Sequence, residues 1–338
     1  MLSSKDMLMP KLAAIGFRHN HSWAIVEELL SEPDVELVAI CEEHAPLHKK
    51  AIGKWKVNSY DDPLALLDKA KPDLVALCPY NSRKGAIIVE CFRRGISVFV
   101  DKPMFIDLDS LEEAETIRLS SSPRPALMGG LSLREIPLFA TAGKLIRNGV
   151  IGEVASVYTR RPHKLGSDRH TWELDINDNG GVLIDLGIHD LDFVMNALNS
   201  RPRRVVAHQS NLRFKHLANF VDNGSMRFDF ANGAVVTIEP NWLNPDGSDF
   251  HGDCCMLFMG TKGFLTIDDT TGKALVTTLT EKQRQVKQIS DGPRLVSDFM
   301  KQHRGEYIEF DPAGMVEANR WVIRATESAR HGGKPIEA

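Results

Sequence analysis

The segment NGGVLIDLGIHDLDFVMNALNS, residues 179–200, carries Asp185, His189, Asp192 and Asn196 at spacings of four, three and four. On a helix those spacings align as one stripe. Most other positions are apolar, and no Lys, Arg or Glu occurs from Gly181 to Ser200. A solvated helix face normally carries such long charged side chains. Short carboxylates and an imidazole on an apolar helix predict instead a buried polar seam. Asp185 and His189, one turn apart, can face a common substrate, and an imidazole can take up or return a proton near neutral pH. A second candidate is Lys102, in Asp101-Lys102-Pro103 at the end of the apolar run SVFV. Its ammonium can donate a hydrogen bond to a substrate hydroxyl or carbonyl oxygen, or relay a proton.

These residues need elements to hold them. From Lys11 to about Gly130, apolar runs (LAAIG, VELVAIC, DLVALC, SVFV, PALMGG) alternate with helical stretches. Continuous apolar strands alternating with helices predict an α/β fold, a doubly wound parallel sheet covered on both faces. Ligands of such sheets bind beyond the carboxyl ends of the strands. That rule gathers Gly16, Phe17, Arg18 and His19, then Glu42, then Pro79, Tyr80 and Asn81, then Asp101 and Lys102 around one crevice. The first turn, GFRHNH, has the glycine that a dinucleotide-binding bend requires, at Gly16. Arg18 and His21 occupy the places of its second and third glycines. Asn20 is positioned to cap the helix that follows. Arg18 can either contact a pyrophosphate or fill its space. Glu42 lies 26 positions after Gly16 at the end of the second strand, where a carboxylate can accept hydrogen bonds from the adenine ribose. A carboxylate there favours NAD over NADP, although His44, His48 and Lys49 keep NADP open.

After Gly130 the pattern changes to several alternating strands with few helices, an α+β domain with a mostly antiparallel open sheet. The expected domains are therefore 1–130, dinucleotide-binding, and 131–338, substrate-binding and oligomerising. A basic loop before the 179–200 helix offers His163, His170 and Trp172 as substrate contacts, with the indole stacking on a ring. The apolar run from Cys254 to Met259 needs cover on both sheet faces, which predicts a homodimer or homotetramer formed through this sheet.

The whole chain narrows the classes further. Its 338 residues are 43% hydrophobic and 25% charged, with net charge −4. No field draws it to nucleic acid, and no run is long enough for a membrane span. Five cysteines without a C-x-x-C pair suggest reduced thiols in the cytoplasm. Twelve histidines are scattered, and with no carboxylate at ligand spacing from His19 and His21, no metal site is expected.

Taken together, the βα turn at Gly16, the acidic end of the second strand, Asp101-Lys102-Pro103, RNGVIGEV and GGVLIDLGIHDLD give a specific pattern. The chain resembles, over nearly its whole length, the glucose-fructose oxidoreductase, inositol dehydrogenase and MocA family of NAD(P)-dependent oxidoreductases. The resemblance implies that Lys102, Asp185 and His189 are the catalytic group. It implies hydride transfer between a nicotinamide cofactor and a secondary alcohol or ketone of a sugar, cyclitol or related polyol. His189 would remove the hydroxyl proton, Lys102 would hydrogen-bond the same oxygen, and Asp185 would orient the alcohol or His189. The sequence departs from the family pattern at Arg18 and His21, at Asp101 where Glu is common, and in PYNSRK, where Arg83 or Lys84 replaces a histidine. Two other readings share these features: a non-catalytic dinucleotide- or sugar-binding regulator, and an NAD-using hydrolase or lyase.

Overall fold

The computed structural model describes residues 9–167, 169–308, 310 and 312–338. They form two compact units, Met1–Gly130 with Leu295–Pro312, and Leu131–Arg294 with Ala313–Ala338.

The first unit alternates strand and helix: β1 (Lys11–Ile15), α1 (His21–Ser31), β2 (Glu36–Cys41), α2 (Ala45–Trp55), β3 (Asn58–Tyr60) and α3 (Pro63–Ala70). The alternation continues through β4 (Leu74–Leu77), α4 (Asn81–Arg93), β5 (Ser97–Val100), α5 (Leu108–Ser120) and β6 (Leu127–Gly129). The strands lie in the order β3-β2-β1-β4-β5-β6, and every pairing is parallel. This is the dinucleotide-binding strand order. Strands β4 and β5 are buried at every position, which is why they read as unbroken apolar runs. The α3 helix starts where Asp62 accepts from the Leu64 and Ala65 amides, each at 3.1 Å, with Pro63 at its first position. Strand β3 has no apolar signature: Asn58, Ser59 and Tyr60 form a three-residue edge that is largely exposed.

The helix Leu295–His303 belongs to this unit, although the sequence pattern groups it with the following domain. It covers the β5 and β6 end of the sheet. Phe299 meets Phe99 edge-to-face at 5.6 Å, Gln302 accepts from the Leu127 amide at 3.1 Å, and His303 bonds the Ser97 hydroxyl at 2.9 Å. A sheet edge left uncovered would expose apolar side chains, and a returning segment supplies the cover.

The second unit begins with α6 (Pro137–Arg147), β7 (Val154–Pro162), the one-turn helices α7 (Ile176–Asn179) and α8 (Val182–Asp185), and α9 (Gly187–Leu198). Then follow β8 (Pro202–Ser210), β9 (Asn223–Phe230), β10 (Val235–Asn241), β11 (Cys255–Gly260), β12 (Gly263–Asp268), β13 (Lys273–Thr278) and β14 (Arg284–Gln285). After the returning helix, now α10, come α11 (Pro312–Arg330) and β15 (Ile336–Glu337). The nine strands are ordered β14-β13-β12-β11-β7-β10-β9-β8-β15. Only β10 with β7 is parallel among the described pairings. Helices α6, α8, α9 and α11 cover one face, with Trp321 of α11 edge-on to Phe228 of β9. Gly187 lets α9 approach closely: a Cβ there would lie 2.3 Å from the Met226 methyl.

The run from Cys254 to Met259 alternates in burial despite its apolar composition. Met256 and Phe258 are buried, Cys255 and Leu257 are half-buried, and Met259 is 42% exposed. Among the described residues, no helix is long and apolar enough to cross a membrane.

Candidate active site

In the first unit the turn after β1 is fixed by Gly16 at φ +83°, where a Cβ would fall 2.4 Å from the Pro79 nitrogen. Only glycine allows the turn to pass this close to the loop after β4. Asn20 sits at the start of α1 without a side-chain cap. His19 does the local work instead: its carbonyl accepts from the Ser22 hydroxyl at 2.6 Å, and its Nδ1 accepts from the His21 amide at 3.3 Å. The first turn of α1 contains no acidic residue. The positive end of its dipole therefore remains suited to a phosphate.

Phe17 turns its ring inward, onto Trp23 at 4.9 Å and Trp55 at 5.5 Å, so its side chain packs the core. Its amide donates to Glu42 Oε2 at 2.6 Å, and the His44 amide donates to Oε1 at 2.7 Å. Glu42 is 2% exposed and clamps the β1 and β2 turns together. Each carboxylate oxygen keeps a second lone pair for a ribose hydroxyl. Arg18 forms an ion pair with Glu42, Nε to Oε1 at 3.1 Å, without hydrogen-bond alignment. Its other arm donates to Glu43 Oε1 at 3.2 Å, and Arg83 donates to Glu43 Oε2 at 2.6 Å. Both guanidinium groups lie over the Tyr80 ring, at 4.8 and 5.4 Å. Together with Ile15, Gly16 and Pro79 they line a cavity at the carboxyl ends of β1, β2 and β4. Arg18 thus engages the ends of β2 and α4. Cys41 also lines the cavity, but burial first, with neighbouring carboxylates, pushes its thiol up to about 12.

The loop after β5 carries Asp101 and Lys102, both buried. Beneath it stands Lys84, 1% exposed, a residue that sequence spacing marked only as a substitution in the family pattern. Its ammonium donates to the carbonyls of Asp101 at 2.8 Å, Lys102 at 3.3 Å and Pro103 at 3.2 Å. Burial alone would push the Asp101 carboxyl up. The Lys84 ammonium, a hydrogen bond from His21 and the charges of His19 and His21 outweigh it and hold Asp101 well below the usual carboxylate range. Asn81, at the start of α4, is buried beside this loop's unit core.

In the second unit the four polar positions of the stripe divide into two pairs. Asp192 is buried in an ion pair with Arg134, Nε to Oδ2 at 2.7 Å, and Asn196 Oδ1 accepts from Arg147 at 2.7 Å. Asp185 and His189 are half-buried while their helical neighbours are buried. Asp185 ends α8 and His189 lies in the first turn of α9, with Leu186 between the two helices. Asp190, which the stripe omits, anchors α9 to the sheet. It accepts from the Thr159 hydroxyl at 2.8 Å and from Arg161 Nε at 2.7 Å, all three buried. The pair is thus mounted on a helix that three charged contacts hold in place.

The substrate candidates separate. His163 stacks near His251 at 4.7 Å and Trp242 at 5.7 Å, and Arg169 lies over Trp242 at 4.4 Å. His170 is exposed and caps the short turn Thr171–Leu174 with Glu173. Trp172 is 6% exposed, so its indole packs inside and offers no open stacking surface.

Both units match known proteins. Residues 14–119 match the model of an oxidoreductase family with an NAD-binding Rossmann fold, and residues 139–266 match the GFO/IDH/MocA C-terminal domain. A myo-inositol 2-dehydrogenase of Thermotoga maritima is 24% identical over 88% of this chain and 83% of its own. A scyllo-inositol 2-dehydrogenase (NAD(+)) of Bacillus subtilis is 26% identical over 76% and 71%. A solved oxidoreductase structure from Thermotoga maritima has TM-score 0.87 at 23% identity, covering 97% of this chain and 100% of that one. With both of its characteristic halves matched in order, the chain belongs to the GFO/IDH/MocA family of nicotinamide-dependent oxidoreductases.

Proposed function

We propose that the protein is an NAD-dependent dehydrogenase acting on a secondary alcohol of a cyclitol, sugar or related polyol. The observation that carries the reading is Asp185 and His189, half-buried between mostly buried neighbours at the α8–α9 junction, with α9 tied by Arg134, Arg147 and Arg161. The inositol dehydrogenases among its relatives support the substrate class. The turn at Gly16, the start of α1 with no acidic residue in its first turn, and the cavity beside Glu42 fit a dinucleotide. When bound, the dinucleotide supplies a two-electron hydride acceptor or donor. His189 takes the hydroxyl proton during oxidation, Lys102 hydrogen-bonds the same oxygen, and Asp185 orients the alcohol or the imidazole. In ketone reduction the proton moves back from His189. A panel of inositols and sugars with NAD⁺ and NADP⁺, read at the nicotinamide absorbance, tests this. Cofactor binding without turnover on any of them would favour a regulator. Substrate loss without net NADH would favour a hydrolase or lyase.

Glu42 and Glu43 favour NAD. A ribose 2′-phosphate beside them would meet two carboxylates, which between them already pair with Arg18 and Arg83. Glu43→Ala removes the carboxylate that Arg83 pairs with and one of the two that Arg18 pairs with, leaving more positive charge for a phosphate. The NADP⁺/NAD⁺ ratio of kcat/KM is expected to rise roughly tenfold, about 1.4 kcal/mol. An unchanged or lower ratio in that variant counts against the assignment of this cavity to the adenosine ribose.

The second unit's sheet presents Tyr158, Leu257, Met259, Phe264 and Leu275 on the face away from its helices, each at least partly exposed. We assign this face to self-association as a dimer or tetramer, with the reducing cytoplasm as the compartment suited to the chain's free cysteines. Leu257→Glu is expected to leave the fold intact and reduce the mass measured by light scattering to that of a monomer. A wild-type chain that is already monomeric removes the proposal.

A further inference from the structure

We propose that His19, His21 and Asp101 form a site for one divalent transition-metal ion of the Zn²⁺ type. Nothing in the family resemblance assigns it, and its test does not depend on the hydride-transfer reading. The three residues come from the turn after β1, the first position of α1 and the end of β5. Strand order puts only β4 between β1 and β5, so their carboxyl ends open at the same edge of the sheet. One ligand atom from each residue lies within 4.8 Å of the others. His21 Nδ1 is 3.1 Å from Asp101 Oδ1, and His19 Nδ1 is 3.4 Å from Asp101 Oδ2. Metal–ligand bonds of about 2.0–2.2 Å at tetrahedral angles separate ligand atoms by roughly 3.3–3.6 Å. The His–Asp distances are therefore close to those of a filled site.

The Asp101 carboxylate faces both imidazoles, which are competent ligands in their neutral form. The contact of the His21 amide with His19 Nδ1, at 3.3 Å, is given up when that nitrogen's one lone pair turns to an ion. The two rings lie 4.1 Å apart and nearly perpendicular, so their nitrogens can converge without stacking. Asp101 is 3% exposed at its side chain, His19 20% and His21 53%. The carboxylate is thus rigid and buried, while the imidazoles form the open rim by which an ion enters. Two imidazoles and one carboxylate suit Zn²⁺, Co²⁺ or Ni²⁺ over Mg²⁺ or Ca²⁺, which prefer all-oxygen ligands. Three protein ligands leave a fourth position for water or for an oxygen donor of a bound ligand.

The test uses the full chain without a histidine tag, stripped by a chelator and titrated with Co²⁺. The expected result is one equivalent bound, with the visible absorption of a tetrahedral cobalt centre, bleached by one equivalent of Zn²⁺. His21→Ala and His19→Ala should each weaken binding by about 100-fold or more. Circular dichroism checks that each variant remains folded, and the exposed position of His21 makes its variant the more secure of the two. The proposal is overturned if the wild-type chain binds no stoichiometric Co²⁺. It is equally overturned if affinity is unchanged in either histidine variant, because the triad would then be a hydrogen-bonded cluster only.

Discussion

Replacing His189 by alanine is expected to lower kcat about 10²–10⁴-fold on a confirmed polyol substrate, the usual contribution of a positioned acid–base group. NADH binding, followed by nicotinamide fluorescence, should stay near the wild-type value. The structure makes this a clean substitution. His189 is half-buried, whereas Asp190 on one side binds Thr159 and Arg161, and Asp192 beyond it binds Arg134. The Asp190 and Asp192 contacts that hold α9 do not run through the His189 imidazole. Lys102→Ala should show a comparable fall in kcat. Its backbone carbonyl would still accept from Lys84, so the loop keeps that anchor. Wild-type-like turnover in both variants would sink the assignment of the catalytic group. A fall in kcat confined to Lys102→Ala would point to a different proton acceptor.

The parts of this site that sequence alone reveals are those encoded by local spacing. The Asp185 and His189 seam is visible because its helix lacks Lys, Arg and Glu, a pattern that survives without knowledge of any neighbour. Its division is not visible there: Arg134 and Arg147, which take Asp192 and Asn196 away from it, come from segments before β7. The parallel sheet was legible because β4 and β5 are covered on both faces, and the small polar edge β3 was not, because nothing in Asn-Ser-Tyr alternates. His19 and His21 stand out as a pair, but their carboxylate arrives from 80 residues along the chain. Glu42 was expected to meet a ribose; what the structure shows is two backbone amides donating to its carboxylate, which sequence spacing does not reveal. Trp172 shows the converse error: an aromatic in a basic loop suggested a stacking surface, and the fold buried it.

Lys84 is the residue whose loss should cost the first unit most. Lysine is rarely buried, and an ammonium at 1% exposure is stable only if its three donors are used and its charge is matched. Here three successive carbonyls take the donors, and the buried Asp101 carboxylate supplies the charge. Lys84→Met keeps the volume but leaves those carbonyls and that carboxylate without their cation. Removing one partner of a buried charge pair typically costs about 3–5 kcal/mol, and the first unit's melting temperature should fall by roughly 10 °C. Lys84→Gln retains an N–H donor without the charge, so it separates the two contributions. If the hydrogen bonds dominate, Gln restores much of the stability; if the charge dominates, it restores little. The same loop carries Lys102, which gives the substitution a catalytic readout that general destabilisation would not produce. Measured well below the melting temperature, kcat should fall while KM for NAD stays nearly constant, because the Glu42 and Tyr80 end of the crevice does not depend on Lys84. A Lys84→Met chain with wild-type stability and kcat would show that the loop after β5 holds its own shape. The lysine would then be a passenger of the fold.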